Sequence, residues 1–250
     1  PHGSFPSSHI LKPAIPDFPG IVENEAYCME LARRLGLPVP DSMIIGGKHP
    51  FYLIERYDRR RGEDGKLIRL HQEDLCQALG CSYGKKYEAD GGPGLNACFG
   101  LVGEQSTQPA LDKRIMLRWV IFNCLIGNCD AHAKNLSMLI KRDDYRLSPL
   151  YDLLSTRVYG KLSPKFAMRV GGQYRPDWVL KDDWGRLAEE AGVGGKAILD
   201  LCRELGEKAP AAARPLAVTF AAEHGAKGTI DKIAKNVSSM AKKMLEALKR

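Results

Sequence analysis

The sequence has no apolar run that approaches the roughly 20 residues needed to span a bilayer. Its seven cysteines are an odd number without paired C-x-x-C spacing, which argues against a disulfide framework or a zinc site. It also has no G-x-x-x-x-G-K-S/T motif, so a P-loop ATPase is unsupported. These absences predict a cytoplasmic protein that keeps its thiols reduced and does not enter a membrane.

The bulk composition is that of an ordinary globular protein. A chain of 250 residues with 44% hydrophobic and 27% charged residues can form one large domain or two modest lobes. The net charge of +7 permits an anionic partner without identifying one. Because the chain begins at Pro1 without an initiator Met, we expect it to be a piece of a longer protein.

One polar stretch, residues 128–135 (Asn-Cys-Asp-Ala-His-Ala-Lys-Asn), follows a strongly apolar segment. It places Asp130 five residues before Asn135, and a second aspartate, Asp152, follows after about one hairpin of chain. Phosphoryl transfer uses one carboxylate to orient and deprotonate the attacking hydroxyl, and an amide plus a second carboxylate to hold Mg²⁺ against nucleotide phosphates. Protein kinases carry these groups in this order, so the pattern predicts a phosphoryl-transfer centre.

The same residues have a structural interpretation. Asp, Asn and His after an apolar helix are ordinary cap and turn residues, and an Asp-x-x-x-x-Asn spacing arises often by chance. The context favours function, because a buried helix runs into the stretch, an apolar strand leaves it, and Asp152 lies beyond.

Hydrophobic periodicity predicts a small sheet followed by a mostly helical region. We expect strands at 8–12, 43–47 and 51–57, with a helix over 20–35 that Gly36 ends. A second set of elements follows after a turn at 59–65. It comprises helices at 72–79, 111–126, 177–191, 196–205, 209–223 and 229–248, and strands at 136–140 and 165–170.

Two further features fit a nucleotide site. Lys12 closes the first strand and precedes a helix with Glu23 and Glu25, the order in which kinases pair a phosphate-binding lysine with a glutamate. Residues 55–57 end the last strand of the first half, where an adenine would meet backbone groups. Taken singly, the lysine and glutamates are ordinary solvated charges, and the strand end is an ordinary salt-bridged one.

Two basic residues, His132 and Lys134, lie between Asp130 and Asn135. Lys134 would stand where charge builds on the transferring phosphoryl group, whereas a lone His132 in a loop is more often a turn residue. The last helix is strongly basic. It carries Lys232, Lys235, Lys242, Lys243, Lys249 and Arg250 against Asp231 and Glu246. A solvated amphipathic face is the ordinary reading of such a run, and a DNA-phosphate-binding face is the alternative.

Several segments together resemble the HipA-like serine/threonine kinases, toxins of bacterial toxin–antitoxin modules. The similar segments are Ser-His-Ile-Leu-Lys-Pro (8–13), Val-Glu-Asn-Glu (22–25), Ile-Glu-Arg-Tyr-Asp-Arg (54–59), Gln-Glu-Asp-Leu-Cys-Gln (72–77), Lys-Tyr-Glu-Ala-Asp-Gly-Gly-Pro-Gly (86–94), Gly-Asn-Cys-Asp-Ala-His-Ala-Lys-Asn (127–135) and Leu-Ser-Pro-Leu-Tyr-Asp-Leu-Leu-Ser (147–155). They cover about the first two-thirds of the chain in family order. The family's phosphate-binding loop, with its autophosphorylated serine, has no counterpart before Lys12 in this sequence.

The resemblance implies a role for each candidate residue. Asp130 would be the proton acceptor, Asn135 and Asp152 the Mg²⁺ ligands, and Lys12 the contact to the nucleotide phosphates. The remaining nucleotide-binding residues would be Glu55, Arg56 and Tyr57 at the adenine hinge and His132, Ala133, Lys134, Asn135, Tyr151 and Asp152 around the pocket. It further implies ATP as cofactor, an aminoacyl-tRNA synthetase as protein substrate, and a helix-turn-helix antitoxin through which the complex binds operator DNA.

We therefore expect an α+β, two-lobed protein-kinase-like fold, with a partial β-rich N-lobe over residues 1–60 and a mostly helical C-lobe over 61–250. The expected function is a serine/threonine protein kinase toxin. Two alternatives remain open: a kinase of a small molecule or lipid headgroup, and a DNA-associated regulatory subunit whose kinase site is vestigial.

Overall fold

A three-stranded antiparallel sheet with one helix packed on it forms the first part of the chain. The computed structural model describes residues 6–47, 49–82 and 84–249. The strands are β1 (His9–Pro13), β2 (Ser42–Ile45) and β3 (Phe51–Glu55), in the order β1–β3–β2. Lys12 pairs with Tyr52 across β1 and β3. All three predicted strands are present: β1 lies within one residue of its predicted place, whereas β2 and β3 each end two residues earlier than predicted.

Helix α1 (Ile21–Arg34) crosses this sheet and is held at both ends by glycines. Gly20 and Gly36 both adopt φ of +73°, a left-handed conformation that glycine takes without steric cost. The buried face of α1 includes polar Asn24, whose amide donates to Ser155 O at 2.9 Å and accepts from Ser155 N at 2.8 Å. The helix is thereby tied to the loop that carries Asp152.

The next part of the chain adds short antiparallel strands. A hairpin pairs β4 (Arg59–Arg61) with β5 (Leu67–Arg69), within and beyond the predicted turn at 59–65. A separate sheet has the order β6–β7–β8. Its strands are β6 (His71–Asp74), β7 (Ser137–Lys141) and β8 (Asp144–Leu147), and helix α2 (Leu75–Ala78) follows β6. Residues 128–135 lead into β7, and the loop with Asp152 follows β8. Because β7 and β8 are antiparallel neighbours, the start of β7 and the end of β8 lie together, and so do these two loops.

Five helices form the larger core. They are α3 (Leu95–Gln105), α4 (Pro109–Ile126), α5 (Lys181–Ala191), α6 (Gly195–His224) and α7 (Lys227–Ala247). Helix α4 is buried on nearly every side, with Trp119 and Phe122 almost inaccessible, and Gly127 ends it at φ of +71°. The prediction of a buried helix running into residues 128–135 is confirmed.

A buried carboxylate joins the start of α4 to β8. Asp112 is fully buried and receives two guanidinium hydrogen bonds from Arg146, at 2.8 and 3.0 Å. It also accepts from the Ser106 hydroxyl at 2.6 Å and from Leu147 N at 2.9 Å. Because a buried ion is stable only when its lone pairs are satisfied, this cluster anchors β8 on the helical core.

Several predicted elements are wrong in detail. Residues 165–170 form no strand, and only Val170 makes a single bridge, to Gln173. The helices predicted at 196–205 and 209–223 are one continuous helix, α6, that passes through Pro210 and Pro215. Packing of α6 against α1, α4, α5 and α7 outweighs the cost of about 3 kcal/mol that a proline brings to a helix interior. The helix predicted at 72–79 is strand β6 followed by the single turn of α2.

The basic last helix turns its apolar side inward as expected. Its buried residues include Ile233, Val237, Met240, Met244 and, just past its end, Leu248. Arg250, counted among the basic residues of this segment, lies outside the described residues. None of the helices in the described ranges is long and apolar enough to cross a membrane.

Candidate active site

A cavity of about 270 Å³ lies between the first sheet with α1 and the two polar loops. Its polar lining residues are Lys12, Glu25, Asn128, Asp130, Asn135 and Asp152. These residues are separated by up to 140 positions in the sequence. The fold therefore brings together the four candidate residues on which the phosphoryl-transfer prediction rests.

Lys12 stands at the centre of an acidic pair. Its Nζ donates to Glu25 Oε1 at 2.8 Å and forms a second, short ion pair with Asp152 Oδ1. Burial lowers the pKa of Lys12, but the two carboxylates outweigh it and leave the pKa above its usual value. Burial raises the pKa of Glu25 to about 7, although attraction to Lys12 opposes that rise. Lys12 is thus a fixed cation that faces the cavity.

Asp152 and Asn135 are in direct contact. Asn135 Nδ2 donates to Asp152 Oδ2 at 3.1 Å, and Asn135 Oδ1 accepts from the backbone N of His132 at 3.0 Å. Asp152 adopts φ of +53°, a left-handed conformation that aspartate tolerates better than most residues. Asn128 Nδ2 donates to the Asp152 carbonyl at 3.4 Å, which helps to hold this turn.

Asp130 lies across the cavity and is half exposed, with 49% of its side chain accessible. Its backbone N donates to Asn128 Oδ1 at 3.2 Å. The Tyr87 hydroxyl donates to Asp130 Oδ1 at 2.7 Å, and Lys86 Nζ lies 3.8 Å from the same oxygen. The Tyr87 hydroxyl thus lies within the distance over which a general base takes a proton, and the role of Asp130 as that base stays a prediction.

Asn135 and Asp152 present the oxygen chemistry that Mg²⁺ prefers, an amide and a carboxylate. The described part of the chain has no group of three or more His, Cys, Asp or Glu side chains able to hold a metal alone. Since protein Mg²⁺ sites use one or two carboxylates and complete the shell with substrate phosphates and water, these residues fit a metal that arrives with a nucleotide.

Two tyrosines among the other predicted pocket residues stack on each other. Tyr57 and Tyr151 stack with ring centroids 5.7 Å apart and planes at 26°. The Tyr151 hydroxyl lies 2.7 Å from Ser137 Oγ and donates to Lys134 O at 2.7 Å. Ala133 is fully buried. Lys134 thus contributes its backbone oxygen here, and its side chain is not among those that line the cavity.

The hinge segment is partly occupied by the protein's own hydrogen bonds. The backbone N of Glu55 donates to Asp41 O at 2.8 Å, and that of Arg56 donates to Ser8 O at 2.9 Å. The Arg56 guanidinium binds the Asp58 carboxylate with two bonds, at 2.9 and 2.8 Å. Two backbone N–H donors of the predicted adenine hinge are therefore engaged, and the hinge role of residues 55–57 stays a prediction.

His132 is buried rather than poised at the cavity wall. Its Nδ1 has no hydrogen-bond partner among the described residues, and its ring meets the Tyr87 ring edge-on at 5.9 Å. Burial lowers the pKa of His132, with the nearby Asp130 charge opposing it. An imidazole close enough to feel the Asp130 charge, but absent from the cavity lining, fits a positioning role. Neighbouring Cys129 is inert, because burial raises the pKa of its thiol to about 11.

Sequence reasoning named Glu23 and Glu25 together as partners for Lys12 without choosing between them, and it assigned no role to Asn128 or Tyr87. Glu25, and not Glu23, pairs with Lys12. Helical spacing could have shown this, because Glu25 lies three residues after buried Val22 and four before buried Met29. Asn128 gave a signal only as the first residue of the polar stretch. Tyr87 lies 43 residues before Asp130, and no local pattern marks it as a partner of that carboxylate.

A small sheet with a lysine strand and one helix, a mainly helical second part and acidic loops between them define an α+β, protein-kinase-like fold. Residues 2–213 match the family described as the HipA-like C-terminal domain, and the chain belongs to that family. The resemblance and the fold class predicted from the sequence are both confirmed.

Curated relatives carry kinase names. The protein named "Putative kinase Y4mE" from Sinorhizobium fredii is 48% identical over 75% of this chain and 45% of its own length. The "Serine/threonine-protein kinase toxin HipA" from Shewanella oneidensis is 31% identical over 84% of this chain and 51% of its own length. The chain thus spans about half the length of the curated relatives that it matches.

Two solved structures share the fold. One is a complex of HipA, HipB and operator DNA from Shewanella oneidensis MR-1, with a TM-score of 0.87 and 26% identity over 98% of this chain and 61% of the other. The second is the Helicobacter pylori proinflammatory kinase CtkA, with a TM-score of 0.60 and 14% identity over 95% of this chain and 88% of the other. At that identity the second likeness bears on the fold alone.

Proposed function

We propose that this protein transfers the γ-phosphate of ATP, in the presence of Mg²⁺, to a serine or threonine hydroxyl of another protein. The observation that carries the proposal is one cavity in which the Lys12–Glu25 and Lys12–Asp152 ion pairs face Asp130 and Asn135. Phosphoryl transfer needs a base, a phosphate-binding cation and ligands for Mg²⁺. Asp130, Lys12 and the pair Asn135 and Asp152 are the candidates for these three tasks.

Each residue has a defined task in the proposed reaction. Asp130 holds the acceptor hydroxyl and takes its proton. Lys12 binds the nucleotide phosphates while Glu25 keeps its ammonium in place. Asn135 and Asp152 hold Mg²⁺, which neutralises phosphate charge when it is bound. Asp152 pairs with Lys12 in this structure. We expect Mg²⁺ to attract the Asp152 carboxylate and the nucleotide phosphates to attract the Lys12 ammonium.

The nucleotide base is proposed to bind beside the stacked tyrosines. Tyr57 and Tyr151 form a stacked aromatic pair near the β3 end, and the backbone of residues 55–57 is proposed to meet the adenine there. His132, Ala133 and Lys134 would shape the floor of this pocket from the loop between Asp130 and Asn135. The proposed two-lobe division at about residue 60 places the nucleotide between the sheet and the helical part.

The proposal is tested with full-length protein, labelled ATP and candidate protein substrates. Asp130→Asn keeps the size of the side chain and removes the proton acceptor, and such losses typically slow general-base catalysis 10²- to 10⁴-fold, roughly. Asp143→Asn, at an exposed aspartate outside the cavity, is the matched control. Mg²⁺-dependent ATP affinity should survive in both variants. Equal transfer rates for parent and Asp130→Asn would show that the base is assigned wrongly.

The proposed partners follow from the family. The Shewanella oneidensis structure is named as a toxin–antitoxin complex of HipA, HipB and operator DNA. We extend this to a helix-turn-helix antitoxin that neutralises the present protein in the cytoplasm, and to operator DNA bound through that complex. An aminoacyl-tRNA synthetase is the proposed substrate. A purified antitoxin that binds this protein without lowering phosphoryl transfer would contradict the neutralisation.

A further inference from the structure

A second and larger cavity, of about 510 Å³, adjoins the nucleotide cavity. The two share four lining residues, namely Ile15, Ile21, Asp130 and Leu154. Asp130 therefore stands at the boundary, with the phosphate-facing cavity on one side and the larger cavity on the other. Any group that fills the larger cavity lies directly against the candidate base.

The walls of this second cavity are mainly apolar. They include Phe18, Cys129, Tyr159, Leu162, Phe166 and Ala167. The Phe18 and Tyr159 rings meet edge-on at 5.1 Å, which gives one wall a fixed shape. The lining also contains Asp90, Thr156, Ser163 and Lys165, but most of the wall is apolar, so an apolar side chain would gain by burial here. The lining thus favours a ligand that brings a large apolar group.

Tyr87 shows what kind of group reaches Asp130 from this side. Its ring lines the second cavity, and its hydroxyl donates to Asp130 Oδ1 at 2.7 Å. Tyr87 is thus a hydroxyl donor on an apolar side chain, placed against the carboxylate that must accept the substrate proton. An incoming serine or threonine hydroxyl would occupy the same position, so Tyr87 stands in for the acceptor and must yield to it.

We infer that this cavity is the acceptor site, and that the protein phosphorylates a serine or threonine flanked by a large apolar side chain that fills it. The inference rests on the proposed kinase function and specifies its substrate. In the reaction the acceptor oxygen bonds to the γ-phosphorus and the bond from that phosphorus to the β–γ bridging oxygen breaks. The hydroxyl proton passes to Asp130, and ADP leaves with the bridging oxygen.

Matched peptides provide the test. Full-length protein with Mg²⁺ and labelled ATP is given serine peptides that differ at the positions flanking the serine, with leucine or phenylalanine in one set and aspartate or lysine in the other. Burying one such side chain contributes about 1.5–3 kcal/mol, so kcat/KM should favour the apolar set by at least about tenfold.

Two variants probe the cavity itself. Leu162→Lys introduces a charge into a lining position, and Ser163→Trp fills the space without adding charge; both positions are exposed enough to tolerate the change in folding. Each should remove the apolar preference while Mg²⁺–ATP affinity is retained, because neither residue lines the nucleotide cavity. Leu111→Lys, at an exposed leucine of α4 outside both cavities, is the matched control and should keep the preference.

The outcomes separate the two proposals. Phosphoryl transfer without apolar preference, or a preference that survives in Leu162→Lys and Ser163→Trp, overturns the acceptor site and leaves the kinase function standing. Transfer to free hydroxyl metabolites but to no peptide also overturns it, in favour of a small-molecule kinase. Absence of Mg²⁺–ATP binding and of transfer to any acceptor refutes the proposed function, and the acceptor site with it.

Discussion

Glu25 provides a quantitative test of the energetics at the candidate site. Its side chain is buried on α1, with 5% of the residue accessible, and its Oε1 accepts from Lys12 Nζ at 2.8 Å. Burial raises the pKa of Glu25 to about 7; attraction to Lys12 works against the rise and repulsion from Asp152 adds to it. Glu25→Gln removes the titrating group and keeps its size.

The sign and magnitude follow from linkage. The folded protein binds the Glu25 proton more tightly than the unfolded chain, so the resulting stabilisation is complete below pH 4.5 and is lost as the pH rises through about 7. A rise of the pKa from 4.5 to about 7, at about 1.4 kcal/mol per pH unit, corresponds to about 3 kcal/mol. Relative to Glu25→Gln, the parent should lose that much stability between acidic and mildly alkaline pH.

Urea unfolding of both proteins from pH 4.5 to pH 8 measures this difference, because pH effects elsewhere cancel in the comparison. Lys12→Met supplies the control. Without its cation, Glu25 should ionise at still higher pH, so the same loss should move to a higher pH window. A difference between parent and Glu25→Gln that stays flat across this range would refute the reasoning, since it would mean that the buried carboxyl ionises as it does in water.

Two further substitutions test how the fold holds the site. Asp112→Ala should cost about 3 kcal/mol in the free energy of unfolding, because it leaves the buried Ser106 hydroxyl and Leu147 N without their acceptor and removes the partner of Arg146. Asp200→Ala, at an exposed ion pair on α6, should be nearly silent. Gly171→Ala should cost about 3 kcal/mol or more, because a Cβ there would overlap a carbonyl oxygen of α5 at φ of +54°. Gly172→Ala, with φ of +94° and open space around it, should cost only the backbone strain, about 1–2 kcal/mol.

Thermal or urea unfolding distinguishes these cases. If Asp112→Ala and Asp200→Ala cost equally little, the Asp112 cluster does not anchor β8. If Gly171→Ala and Gly172→Ala behave alike, backbone strain explains both and the close approach to α5 has no energetic consequence. That second pattern would require a different account of how the second cavity keeps its shape, since the loop before Gly171 forms part of its wall.

Local sequence signals predicted the elements that bury a regular apolar stripe. Helix α1 repeats Val22, Ala26 and Met29 on one face, and α4 is apolar on nearly every face, so both were found close to their observed limits. The chain order of the lysine strand, the Asp/Asn stretch and the later aspartate also predicted the kinase-like fold, because a lysine, an Asp-x-x-x-x-Asn and a second aspartate rarely occur together in this order.

Elements stabilised by distant packing escaped the same reasoning. Proline signals the end of a helix, yet α6 continues through Pro210 and Pro215 because four other helices cover it. The apolar residues at 165–170 suggested a strand, but they pair with no neighbouring strand in the described part of the chain. Phe166 and Ala167 line the second cavity instead, and Met168 and Val170 pack in the core. Period and composition describe what a segment buries, and they do not reveal what it is buried against.

The geometry of the candidate site depends on amides that have no chemical signature in the sequence. Asn24 binds the backbone of Ser155 in both directions, and Asn128 contacts both Asp130 N and the Asp152 carbonyl. The short asparagine side chain carries both a donor and an acceptor on its amide, so it can bind two backbone groups at once. Sequence reasoning assigns such residues to turns because the partners lie far away in the chain. The two aspartates can face one cavity only because these buried amides hold the loops that carry them, which places the determinants of the site on residues outside the reacting groups.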